Sequence, residues 1–144
     1  MKVGSFQQIP VQLDASCRSD FEQQFMSALA TEEANISQII YRWFTKRPVP
    51  RVRGESNLIY IGQSDTSFRR RYNNTKAFRC EGDAFENRYK YMIELYGPIT
   101  IEIAESDSPK DDEHAALLGY FKKHRELPPV NLNWSRSVSG VVDE

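Results

Sequence analysis

Residues 58–72, Leu-Ile-Tyr-Ile-Gly-Gln-Ser-Asp-Thr-Ser-Phe-Arg-Arg-Arg-Tyr, constrain the chain more than any other stretch. The run opens with β-prone side chains, is broken by Gly62, and continues into a Ser/Asp/Thr cluster suited to cap a helix. A strand is therefore expected to hand over directly to a helix. Tyr60 then lies near the strand's end, and Arg69, Arg70 and Arg71 occupy the first helical turns. Phe68 and Tyr72, four apart, face inward. Guanidinium forks match phosphate oxygens in shape and charge, so phosphate is the first ligand this pattern suggests. The plainer reading is a half-buried strand tyrosine beside a solvated basic helix face.

Length and charge limit what the rest can do. A chain of 144 residues, 40% of them hydrophobic, suffices for one domain with a core. Cys17 and Cys80 match neither a metal knuckle nor a disulfide framework, and no segment approaches a signal peptide or a membrane span. A cytoplasmic, soluble protein is expected. The net charge of −1 is unevenly distributed: residues 42–79 carry ten basic and two acidic side chains, whereas residues 81–126 carry six and eleven. Such a block predicts an electropositive surface around Tyr60 with acidic flanks.

Taken in order, residues 1–18 show no period and are expected to form a loop or short arm. Ser-Asp-Phe-Glu from Ser19 is a capping-box pattern, and Phe21, Phe25, Ala28 and Leu29 continue it as a helix to about Ala30. Ile36, Ile39, Ile40, Trp43 and Phe44 recur at helical spacing and predict a second helix ended by Pro48, with Tyr41 beside its stripe. Two β-prone runs around residues 54–57 suggest a hairpin. After the arginine helix come a helix from Phe85 to the Gly97-Pro98 stop and a strand with Ile99, Ile101 and Ile103 on one face. Ser108-Pro109 opens a last helix carrying Glu113 and Leu117 on a common face. The expected fold class is α/β: a small three-stranded sheet, antiparallel or mixed, flanked by helices. Residues 1–47 would be a helical extension of two helices, 48–134 the main domain and 135–144 a tail.

Tyr-Ile-Gly on a strand, Phe-x-x-Arg on the next helix, a lone glutamate on a later helix and a closing Pro-Pro-x-Asn together resemble the GIY-YIG nuclease superfamily, over about residues 48–134. The resemblance implies a DNA phosphodiesterase with one divalent metal, Mg²⁺ or Mn²⁺. Carried over by motif, Tyr60, Arg71, Glu113 and Asn131 are the catalytic set, with Glu113 the metal ligand. Arg70 and Asn133 are the alternatives one step out of register. The first half-motif, Gly-Ile-Tyr, has no match, since Pro-Val-Pro-Arg-Val occupies its expected place and leaves Tyr41, Arg51 or Arg53 to fill it.

Phosphodiester hydrolysis needs a positioned water, stabilised charge on the phosphoryl oxygens and relief of charge on the leaving oxygen. Tyr60 would orient the nucleophile, Arg71 hold the phosphoryl group, Glu113 carry a mostly hydrated ion, and Asn131 fix the glutamate or the chain end. Arg51, Arg53, Arg69, Arg70 and Lys76 would bind DNA, with specificity supplied by an added element or by a second copy in a homodimer. Two other readings compete: a nucleic-acid-binding module of the same fold that has lost cleavage, and a protein-interaction domain.

Overall fold

The strand-to-helix handover is the joint on which the fold turns. The computed structural model describes residues 3–72 and 85–131. Its sheet has four strands: β1 (Gln7–Gln8), β2 (Ser37–Pro50), β3 (Glu55–Ser67) and β4 (Ile99–Glu105), in the order β1-β4-β2-β3. Every pairing is antiparallel. The helices are α1 (Arg18–Leu29), α2 (Phe68–Tyr72), α3 (Tyr91–Tyr96), entered through a π-helical turn at Glu86–Lys90, and α4 (Pro109–His124).

Two expectations fail here. The sheet has a fourth strand, and residues 37–50 form its central strand where a second N-terminal helix was expected. The helical spacing of Ile36, Ile39, Ile40, Trp43 and Phe44 arises because β2 is covered on both faces, so apolar residues fall on successive positions without clean alternation. Ile39, Tyr41 and Trp43 face α1, whereas Ile40 meets Leu117 of α4. Residues 39–45 are β-branched or aromatic apart from Arg42, which favours strand over helix once tertiary cover exists. A domain boundary at residue 48 would thus cut a strand. β1 escaped notice because it is two residues long; Ile9 and Leu13 extend its contact by bonding the backbone of Ile101 and Ile99.

The α1 face of the sheet is aromatic. Phe21 stacks on Tyr89 at 4.5 Å between ring centroids, and Phe25 packs against Trp43, Phe68 and Tyr72. The expected faces of β4 are observed, with Ile99, Ile101 and Ile103 all inside this cluster. On the opposite face Arg42 pairs with Glu102 across β2 and β4 at 2.5 Å and stacks on Phe6. Gly97, at φ 92°, ends α3 in a conformation that disfavours other residues. Among the described residues no helix is long and apolar enough to cross a membrane.

The β2–β3 turn is bolted to the far end of α4. Arg53 donates to the carbonyls of Lys122 and Lys123, both at 2.7 Å, and so caps the helix C-terminus. His124 bonds the Arg53 carbonyl at 2.9 Å. Arg51, its side chain only 8% exposed, donates to the Leu127 carbonyl and pairs with Glu126 at 2.6 Å. Arg51→Met is expected to lower stability by about 2 kcal/mol, because a buried carbonyl and a carboxylate lose their charged partner. Urea unfolding measures that loss, and unchanged stability would contradict the bolt.

Candidate active site

Antiparallel pairing of β2 with β3 sets Tyr41 opposite Gly62 and Trp43 opposite Tyr60. The pairing then slips: Phe44 meets Leu58, so β3 carries one extra residue and both Ile59 and Tyr60 turn toward the α1-side core. Tyr41 and Tyr60 thereby come side by side, ring centroids 6.0 Å apart. Gly62 is required by this contact. A Cβ there would sit 2.4 Å from the Tyr41 ring, closer than carbon atoms can approach.

β3 hands over directly to α2, as the sequence predicts, but it does not break at Gly62: the strand runs on through the Ser/Asp/Thr cluster to Ser67, so Tyr60 lies mid-strand and not near its end. Ser67 Oγ accepts the Arg70 amide at 3.1 Å and caps the helix. One turn on, Tyr72 turns back under the sheet, where its hydroxyl lies 3.0 Å from that of Tyr41. The Arg71 side chain is exposed yet lies within electrostatic reach of the Tyr41, Tyr72 and Tyr60 phenols. Glu113, half-buried on the second turn of α4, responds to Arg71 in turn. Three strand or helix tyrosines, one arginine and one carboxylate therefore share a single electrostatic neighbourhood.

Asn131 completes the frame from the chain's end. Its side-chain amide accepts the Ile61 N–H at 3.0 Å and donates to the Ile61 carbonyl at 2.9 Å, imitating a strand partner. With Val130 bonded to the Ile59 carbonyl, the segment covers the edge of β3 beside Tyr60. Asn131 thus ties the segment after α4 to the edge of β3.

Ionisation states follow from burial. Tyr41 and Tyr72 are pushed well above the ordinary tyrosine range, first by burial and then by neighbouring phenols. Both stay neutral and act as hydrogen-bonding groups. Partial burial opposes the charge on Arg71, but the surrounding phenolic oxygens outweigh it and raise its pKa. Burial also raises Glu113, offset in part by Arg71. Its ionised form costs folding energy at neutral pH.

The predicted DNA-binding set divides. Arg69 donates to the Leu29 and Thr31 carbonyls at 2.7 and 2.9 Å and serves as a cap for α1. Arg51 and Arg53 are spent on the α4 bolt at the other end of the hairpin. The forks of all three bond carbonyl groups of the protein itself. Arg70 and Arg71 remain exposed. Lys76 and Asn133 lie outside the described residues. Tyr72 was not in the expected site, and Tyr41 entered it only as one of three residues that could fill the missing first half-motif; the Ile-Ile-Tyr run of residues 39–41 was a strand signal masked by its helical spacing.

Among the described residues no group of three or more His, Cys, Asp and Glu side chains could hold a metal. The donor set does not form a protein cage, although one carboxylate fits a mostly hydrated Mg²⁺ that takes further ligands from a phosphate. Comparison with protein-family models, curated proteins and solved structures finds no match to this chain. The site is therefore read from its own geometry.

Two outcomes test this geometry. Gly62→Ala should eject the Tyr41 ring, seen as loss of the Tyr41–Tyr72 ring contacts in nuclear Overhauser spectra, with stability falling by about 1–3 kcal/mol. Because the Glu113 pKa is raised in the fold, its favourable contribution is present below the ordinary value of 4.5 and lost as pH rises through the folded value. Glu113→Gln should therefore melt higher than wild type at pH 7, and the gain should vanish toward pH 3. A lower melting temperature at neutral pH would contradict the assigned burial.

Proposed function

We propose that this chain is a metal-dependent endonuclease that hydrolyses DNA phosphodiester bonds, a divergent GIY-YIG-like enzyme. What supports the reading is the electrostatic coupling of Arg71 both to the phenols of Tyr60, Tyr41 and Tyr72 and to the Glu113 carboxylate, groups drawn from separate elements, with Tyr41 and Tyr72 bonded behind them. Binding alone has no use for a half-buried carboxylate beside an arginine, since the carboxylate repels phosphate and costs folding energy. In this reading Ile39-Ile40-Tyr41 on β2, paired with the strand that carries Tyr60, would take the part of the missing first half-motif, with isoleucine in place of the glycine.

In this reading Arg71, assisted by Arg70, binds the scissile phosphate through its exposed fork and stabilises charge on the phosphoryl oxygens. Tyr60, half-exposed, is the phenol that can touch the attacking water. Tyr41 is 1% exposed and neutral, so it holds Tyr60 in place and does not take the water's proton itself. Glu113 would hold a divalent ion, which when bound supplies charge relief at the leaving oxygen. Asn131 keeps β3 straight beneath Tyr60 through its two backbone bonds.

One observation favours the second reading, a binding module without turnover: Glu113 is the sole carboxylate assigned to the site, and two of the three phenols are locked neutral. A plasmid-nicking assay with Mg²⁺ separates the two. Glu113→Ala should lose cleavage by at least about a hundredfold while DNA binding stays within about twofold. Arg71→Ala should weaken both, and its binding should fall less steeply with salt because one phosphate contact is gone. Wild-type protein that binds but never cuts would establish the binding module.

A further inference from the structure

Tyr72 lies behind the site and has no expected part in it, yet its hydroxyl is placed where phenylalanine would pack as well. The ring sits among Phe25, Trp43, Phe68 and Tyr41, and the residue is only 6% exposed. A hydroxyl in such surroundings costs free energy unless it is bonded, and its partner is the equally buried hydroxyl of Tyr41 at 3.0 Å. The pair adds nothing to packing that two apolar rings would lack. What it does add is direction, since each hydroxyl has one hydrogen to place.

Around the Tyr41 hydroxyl, Tyr72 is bonded at 3.0 Å, the Tyr60 ring lies 6.0 Å from the Tyr41 ring, and the Arg71 charge is within electrostatic reach. Arginine can only donate. If Tyr72 also donates, the Tyr41 oxygen is filled from both sides and its hydrogen is left for Tyr60. The Tyr60 hydrogen, in turn, is left for whatever lies outside.

We propose that Tyr72 is a positioning residue: its hydroxyl, bonded to that of buried Tyr41, aligns a three-phenol chain that fixes the Tyr60 hydroxyl toward the bound phosphate or its water. The chain joins α2 to β2 and β3, so the helix that carries the phosphate-binding Arg71 also sets the group that orients the nucleophile. Hydrogen bonds in such a chain polarise one another, so removing the far end weakens the near one. The role in cleavage rests on the endonuclease reading; the hydroxyl chain itself does not.

The test uses the full chain, with Tyr72→Phe as the variant and Tyr120→Phe, a phenol packed on His124 at the other end of α4, as the control. On plasmid DNA with Mg²⁺, Tyr72→Phe should lower kcat about tenfold, the worth of one hydrogen bond, with KM within about twofold. Tyr120→Phe should cut like wild type. In a ¹³Cζ-tyrosine NMR spectrum without DNA, Tyr72→Phe should move the Tyr60 resonance as well as that of Tyr41. Unchanged kcat, an equal loss by the control, or a Tyr60 resonance that stays in place would overturn the proposal. Should wild type fail to cut, the endonuclease reading falls by itself and the Tyr60 resonance alone decides the hydroxyl chain.

Discussion

The close approach of the Tyr41 ring to Gly62 is the contact on which the candidate site depends. It exists because β2 and β3 pair in one register, and that register is defended from both sides. Slipping β2 by one residue would turn Tyr41 and Trp43 from the aromatic core toward α4 and expose Ile40 to the wrong face. The same register sets Tyr60 opposite Trp43 and diagonal to Tyr41, so that the Tyr41 and Tyr60 rings lie side by side. A missing side chain at one position thus allows two phenols and the following helix to gather in one place.

Positive charge is distributed by a different logic. The basic block of residues 42–79 suggested a broad phosphate-binding surface, but helix ends and carboxylates inside the fold claim much of it. Arg42, Arg47, Arg51, Arg53 and Arg69 all bond protein carbonyls or carboxylates. Of the arginines on α2, Arg70 and Arg71 remain exposed. Among the described residues, the exposed arginines of α2 therefore stand at the strand-to-helix joint.

Burial decides the chemistry of what gathers there. Two phenols are sealed and neutral, a third is half-exposed, and the lone carboxylate is held where its charge is costly. A side chain whose ionised form costs stability, placed beside an exposed arginine fork, is the kind of local conflict that folds tolerate where a ligand resolves it. Asn131 shows the opposite arrangement, with both ends of its amide satisfied by the Ile61 backbone.

The sequence by itself determined the local elements whose signals are short in range: the strand that becomes a helix at Ser67, helix α1, strand β4 with its three isoleucines inward, and the Pro109 start of α4. It also named Tyr60, Arg71, Glu113 and Asn131, since each belongs to a motif readable from its neighbours. Tertiary structure alone decided that residues 37–50 are a central strand, because an element covered on both faces loses the alternation that distinguishes strand from helix. It likewise decided which arginines are spent and which are free, and that Tyr41 and Tyr72 meet. Those outcomes depend on residues dozens of positions apart arriving at one point, and no periodicity along the chain records such an encounter.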